Sequence, residues 1–357
     1  MDQIERRPTR TVRIGSQTIG GNHPILIQSM TNTLTRDIRA TLGQIHQLEE
    51  EGCEIIRVAV PTAEDAVALS LIKKEISIPL IADIHFDHHL AILAIENGAD
   101  KIRINPGNIG SRDKVDRVIE TARDHGVSIR IGVNSGSLEK DLLERYGHPT
   151  AEAMVESVLR WVDYFESRNF NQIVLAVKSS QVVSNFRAYR ILSSRTDYPL
   201  HIGVTESGIE SEGMIKSAAG LGSLLMNGIG DTIRISLTGD PLPEVQTAKL
   251  LLQSLGLRYF QPEIISCPTC GRCRIKLEEL VQQVRHRIRH IRRPMVIAIM
   301  GCAVNGPGEA READLGIAGG REDGLIFQKG KIIARLQYDQ LADELVAMIE
   351  KLDREPS

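Results

Sequence analysis

No stretch of this 357-residue chain stays apolar long enough to cross a membrane: the longest such run, Met295 to Val304, falls far short of the roughly 20 residues a spanning helix needs. The beginning, MDQIERRPTR, is charged and lacks the apolar segment of a secretory signal. An excess of one charge sign is missing too. The 43 basic and 46 acidic residues leave a net charge of −3, which argues against a general nucleic-acid or membrane-surface role. Cysteine is sparse: there are five, an odd number, and four of them follow residue 266. A disulfide framework would be spread differently, so a reducing, cytoplasmic compartment and a metal site are expected. No GxGxxG follows a strand and no GxxxxGK[ST] occurs. The chain is therefore expected to carry no nicotinamide, flavin or nucleotide site of its own.

What is present is ordinary in bulk, with 42% apolar and 25% charged residues, as in a globular protein large enough for one big domain and a modest one. From about residue 25 to 256, short β-rich runs alternate with helical stretches. Eight strands are expected: ILIQSM (25–30), EIIRVAV (54–60), PLIADIH (79–85), KIRIN (101–105), SIRIGVN (128–134), QIVLAVK (172–178), LHIGVTE (200–206) and TIRIS (232–236). Between them, Val115, Val118, Ile119 and Ala122 share one helix face, and Val155, Val158, Leu159 and Val162 another. Eight β/α repeats predict a TIM barrel over 1–256, in preference to a doubly wound sheet, which usually has fewer strands. LRYFQPEI (257–264) reads as a linker opening a smaller α+β domain, 257–357. That domain holds a CxxC, a helix with Leu277, Leu280, Val281, Val284 and Ile288 on one face, and the strand MVIAIMG. A second cysteine loop follows, then a hairpin turned at Lys329-Gly330 and a terminal amphipathic helix.

Four strands repeat one phrase, IRV at 56–58 and IRI at 102–104, 129–131 and 233–235. Side chains alternate along a strand. The Ile and Val must face the apolar helix layer, so Arg57, Arg103, Arg130 and Arg234 point into the barrel. By the same count Lys101, Asn105, Asn134, Ser236, Asp83 and Lys178 also point inward. Facing cations repel and lose hydration, which costs several kcal/mol per ion unless compensated. Internal carboxylates such as Asp83 and Asp231 could pair with one or two of them. The remainder call for a polyanionic ligand, and the planar Arg fork suits phosphate. In this fold the C-terminal strand ends form the active site. Glu206, at the end of strand seven in GVTESG, is not placed inward by parity. As a loop residue it could give a proton to a leaving oxygen or simply be an acid at a helix N-terminus.

The second domain reads SCPTCGRC and, after 27 residues, GCAVNGPGE. Thiolates at i and i+3 can share a metal centre. Zinc sites normally show a second close pair. Here the partner is a lone Cys302 followed by Asn305, Gly306, Pro307, Gly308 and Glu309, which suggests three cysteines and an oxygen ligand. Cys267, Cys270 and Cys273 also fit a bacterial ferredoxin run. Spacing alone leaves Cys273 and Cys302 both open as third ligand. Cys53 reads as a small core residue.

The runs SCPTCGR and MGCAVNGPGEA, with RINPGN, IGVNSGS and GVTESG in the barrel, closely resemble the 4-hydroxy-3-methylbut-2-enyl diphosphate synthase family of the methylerythritol phosphate route to isoprenoids. The likeness covers essentially the whole chain and matches the bacterial two-domain form, without the extra central domain of plant-type members. It implies a [4Fe–4S] cluster on Cys267, Cys270 and Cys302, with Glu309 as a displaceable fourth ligand. It implies reductive ring opening of 2-C-methyl-D-erythritol 2,4-cyclodiphosphate. Residues matching Arg57, Arg103, Arg130, Asn134, Lys178, Arg234 and Ser236 would hold the diphosphate; Asp83 joins them as a candidate by parity. Glu206 matches the family's proposed acid. The resemblance also implies a head-to-tail homodimer, with one chain's cluster domain over the other's barrel, and flavodoxin or ferredoxin as electron donor. Cys273 and Lys276 depart from the Thr and Asp usual there. Two rival readings remain: a TIM-barrel phosphosugar aldolase or isomerase with a structural metal, which explains the basic mouth, and a non-catalytic electron carrier, which explains the cysteines.

Overall fold

The computed structural model describes residues 4–302, 310–320 and 323–355. The chain divides into two units, Met1–Arg258 and Tyr259–Ser357.

The first unit opens with a hairpin of β1 (Val12–Ile14) and β2 (Gln17–Ile19). Eight parallel strands follow: β3 (Leu26–Met30), β4 (Ile55–Ala59), β5 (Leu80–Asp83), β6 (Lys101–Ile104), β7 (Ser128–Asn134), β8 (Ile173–Lys178), β9 (His201–Ile202) and β10 (Thr232–Ile233). The neighbour order is β8-β7-β6-β5-β4-β3-β10-β9, and a parallel bridge from Leu175 to Leu200 closes the ring. This is a TIM barrel, built from all eight expected strands, most of them trimmed relative to their sequence runs and the last two reduced to two residues each. The helices between them form for local reasons. Thr62, Asp37 and Thr150 each cap a free N–H at a helix start. In the helix Arg112–Asp124 the buried face is Val115, Val118, Ile119 and Ala122. In Ala151–Ser167, Val155, Val158 and Val162 are buried, while Leu159 is only half-covered.

The hairpin plugs one end of the barrel. Val12, Ile14 and Ile19 pack on Leu26, Ile55, Ile81 and Val174, the inward residues at the starts of their strands. Each such fully buried side chain contributes about 1.5–3 kcal/mol. The barrel is therefore apolar at its N-terminal end and charged at the other.

The second unit is a five-stranded sheet ordered β11 (Glu263–Ser266), β12 (Val296–Met300), β13 (Leu315–Gly319), β14 (Asp323–Gln328), β15 (Lys331–Gln337). The first three strands run parallel and the last two are antiparallel. Helices Leu277–Arg287 and Tyr338–Arg354 cover one face, where Leu280, Val284, Leu341 and Leu345 meet Ile297, Ile299 and Ile317. The hairpin turns at Lys329 and Gly330, both at positive φ (46° and 74°), as a two-residue turn matched to strand twist requires. The expected linker is shorter than its sequence suggests, because Glu263–Ser266 is already a strand. Its side chains are only part-buried, so the alternation that marks a strand is faint. Among the described residues no helix is long and apolar enough to cross a membrane.

Candidate functional site

The flanking residues of the repeated phrase, among them Ile56, Val58, Ile102, Ile104, Ile129 and Ile131, are fully buried under the helices. Their arginines project the other way, into a cavity of about 180 Å³ at the C-terminal strand ends. Arg57, Asp83, Arg103, Arg130, Asn134, Lys178, Arg234 and Ser236 all line it. Lys101 shares their parity but lies beneath, completely buried, with no partner for Nζ among the described residues. Asn105 is diverted: its Oδ1 accepts from Gly107 N (3.2 Å), and its amide donates to Ser137 (3.0 and 3.1 Å).

The cations are unevenly compensated. Arg103 Nη1 lies 3.3 Å from Asp83 Oδ1 and 2.8 Å from His85 Nε2. Gly132 makes room for it, since a Cβ there would stand 3.0 Å from Arg103 Nε. Arg234 Nη2 reaches Glu244 Oε1 at 3.4 Å. Arg57 Nε donates to the sulfur of Met30, at 3.0 Å. Arg130, almost wholly buried, leaves Nε and Nη1 without a partner among the described residues. Asp231, expected as an internal partner, is used elsewhere: it binds Arg6 at 2.9 Å and accepts from Leu200 N at 2.8 Å.

Titration reflects this imbalance. Burial lowers Arg57 to about 10, and Arg234 and Arg103 outweigh part of the help from Asp83. Burial, then Arg57 and Arg103, push Arg130 well down. An arginine in a protein keeps its proton regardless, so the mismatch is electrostatic strain that a bound anion relieves. Burial would raise Asp83, but Arg57, the hydrogen bond to His85, Arg103 and Arg130 hold it far below the usual carboxylate range.

Three participants were not foreseen. His85 lines the cavity, and it continues the parity of Asp83 within the same run, so the signal was available. His201 is fully buried beside Lys178 and occupies an inward position of strand seven. Glu244 comes from the helix Leu242–Ser254, where strand parity says nothing. It is buried, accepting from Leu237 N (2.9 Å) and Ser29 Oγ (3.2 Å). Glu206 is not among the residues lining the cavity. It is exposed, at a φ of 53°, and its carbonyl accepts from Lys216 Nζ (3.0 Å); Thr205 lines the cavity beside it.

In the second unit the adjacent parallel strands β11 and β12 deliver the cysteines. Ser266 pairs in register with Ile299, so the loops leaving both C-terminal ends start side by side. Gly301 N donates to Cys267 Sγ (3.2 Å), and Arg274 N donates to Gly301 O (2.9 Å). A Cβ at Gly301 would meet Cys273 Sγ at 2.6 Å and Cys267 Sγ at 3.6 Å. Cys302 is buried, Cys267 and Cys273 are half-buried and Cys270 is exposed. An N–H aimed at a cysteine sulfur, on loops that converge, suits thiolate ligation of a cluster. Glu309 lies outside the described residues. Cys53 is a core thiol, pushed up to about 12 by burial.

A parallel eight-stranded barrel with a cationic C-terminal mouth, followed by a unit that gathers cysteines at parallel strand ends, defines a two-domain TIM-barrel protein equipped for an anionic ligand. The chain belongs to the GcpE family: residues 9–249 match its model described as GcpE TIM-barrel domain, and 263–351 match GcpE protein C-terminal domain. It is 55% identical to a 4-hydroxy-3-methylbut-2-en-1-yl diphosphate synthase (flavodoxin) of Caldanaerobacter subterraneus subsp. tengcongensis, over 98% of this chain and 99% of that one. A relative of the same name from Thermodesulfovibrio yellowstonii is 52% identical, over 98% of this chain and all of its own length (100%). Among solved structures, dihydropteroate synthase from Stenotrophomonas maltophilia matches 70% of this chain and 98% of its own, with TM-score 0.50 and 13% identity, a likeness of fold alone.

Proposed function

We propose that this chain reduces 2-C-methyl-D-erythritol 2,4-cyclodiphosphate to 4-hydroxy-3-methylbut-2-enyl diphosphate in isoprenoid synthesis. The net change takes two electrons and one proton, opens the cyclic diphosphate at carbon and releases water. The observation that carries this reading is the ring of buried cations at the barrel mouth, too many for the carboxylates beside them, in a chain whose relatives are named for making that diphosphate.

Arg57, Arg103, Arg130, Lys178 and Arg234 bind the two phosphoryl groups, and Asn134 and Ser236 add neutral donors. Asp83 and Glu244 hold Arg103 and Arg234 in place for that task. Glu206 is the candidate proton donor to the departing hydroxyl; from its exposed position it reaches substrate only if its loop turns inward. Cys267, Cys270 and Cys302, with Glu309, would hold a [4Fe–4S] cluster, which when bound supplies single-electron transfer and one weakly ligated iron. Electrons come from flavodoxin, the donor named for the relatives, or from ferredoxin.

The test is anaerobic purification with iron and acid-labile sulfide analysis, then turnover of the cyclodiphosphate with reduced flavodoxin. Four irons per chain and formation of the allylic diphosphate are expected. Zinc without iron would end the cluster reading and leave a phosphosugar enzyme with a structural metal.

A further inference from the structure

Lys178 and His201 form a unit that a fixed positive charge does not explain. Lys178 ends β8, and its Nζ lies 3.2 Å from His201 Nε2. Gly203 permits the approach, since a Cβ there would fall 2.6 Å from Lys178 Nζ. The imidazole is held from its other side, with Nδ1 2.8 Å from Thr232 Oγ1, while the His201 carbonyl accepts from Tyr189 OH at 2.7 Å. The ring is thus held with Nε2 facing Lys178 Nζ.

Around this pair the charges are mostly of one sign. Arg57 of β4, Arg103 of β6, Arg130 of β7 and Arg234 beyond β10 share the cavity with Lys178, and Lys101 is buried beneath. On the acidic side stand Asp83, engaged with Arg103 and His85, and Glu244, engaged with Arg234. Of the cations lining the cavity, a lysine relieves the crowding most readily by releasing its proton, because the guanidinium groups keep theirs at neutral pH. Burial first, then Arg130, Arg57, Arg234 and Arg103, all act to lower Lys178 well below its ordinary value. Burial does the same to His201, with Arg130 and Arg57 acting in the same direction, which favours a ring that accepts at Nε2.

We infer that Lys178 is an uncharged amine in the empty cavity and takes up a proton from solvent when a cyclic diphosphate enters, His201 Nε2 accepting a hydrogen bond from the ammonium so formed. This rests on the substrate class proposed above. The ligand cannot supply the proton: each phosphoryl of a cyclic diphosphate has an ester and an anhydride link, and its one remaining hydroxyl is already ionised at neutral pH. The sign follows from linkage. Binding raises the Lys178 pKa, so between the free and bound values each ligand brings in about one proton, and Kd rises about tenfold per pH unit. Below the free value the affinity no longer depends on this group.

The experiment is calorimetric titration of the anaerobic holoenzyme with 2-C-methyl-D-erythritol 2,4-cyclodiphosphate, without reductant. It is run near pH ~8 in two non-phosphate buffers of different ionisation enthalpy. The buffer dependence of the heat counts protons. About one proton per site is expected in wild type. Near zero is expected in Lys178→Arg, which binds with a permanent charge, and in the weaker-binding Lys178→Met. Wild-type binding without proton exchange overturns the inference and leaves the substrate reading standing. So does uptake that persists unchanged in both variants, because the proton then sits on another group. Absence of any wild-type binding overturns the substrate reading and this inference with it.

Discussion

Arg57 and Arg234 face the same cavity but differ in what they leave behind when removed. Arg234 balances the buried Glu244, whereas the hydrogen bond from Arg57 Nε ends on a methionine sulfur. Arg57→Ala and Arg234→Ala should each raise KM about ten- to a hundredfold, the loss of one charge-assisted contact at roughly 1.5–3 kcal/mol. Iron content should not change. Arg234→Ala should also lower the urea midpoint, by leaving the buried Glu244 without its charge partner. An unchanged KM in both variants would remove them from the site. At Glu309 the expectation is a separation of loading from turnover. Glu309→Ala should retain most anaerobic iron through the three cysteines and lose most activity. Glu309→Cys should hold iron more firmly and turn over more slowly, since thiolate is the softer and less labile ligand for iron. Near-normal turnover of Glu309→Cys would show that release of this ligand is not needed.

At the level of elements, two pairings do most of the positioning. The hairpin β1–β2 closes the apolar end of the barrel, away from the charged mouth. Ile14→Ala should therefore destabilise the protein by about 2–5 kcal/mol while KM stays at the wild-type value; a large KM change would mean the plug and the mouth are mechanically linked. The other pairing is β11 with β12, which brings the cysteine loops together. Cys273 is carried along in the first of these loops, with Sγ donating to Ile275 O (3.2 Å). Cys273→Ser should keep iron and activity. Iron reduced to the level of Cys267→Ser would instead make Cys273 the third ligand.

For the whole molecule, the proposed chemistry uses two units of the chain. The head-to-tail homodimer that the resemblance implies would set one protomer's cysteine unit over its partner's barrel. Mixing Arg57→Ala/Arg234→Ala chains with Cys267→Ser chains, under conditions that exchange protomers, should then restore roughly a quarter of wild-type activity. Half the dimers are mixed, and each has one intact site. No recovery would place both halves of the site in one chain.

Much of this was legible before any coordinates. The eight barrel strands, the inward arginines and the buried helix faces follow from alternation and helical period, because both are set by backbone geometry within one segment. The family and its cysteine runs were legible as motifs. The plug hairpin was passed over because three-residue strands carry too little pattern, and β11 because its faces are nearly equally exposed. What only the tertiary structure decided is how charge is shared out across the barrel. Glu244 compensates Arg234 from a helix, Asp231 is drawn to Arg6, Arg130 is left with unpartnered nitrogens, and His201 meets Lys178 across Gly203. The physical reason is one of range. A strand's pattern dictates which way a side chain points, whereas an ion's partner and proton depend on groups that meet only when the ring of strands closes.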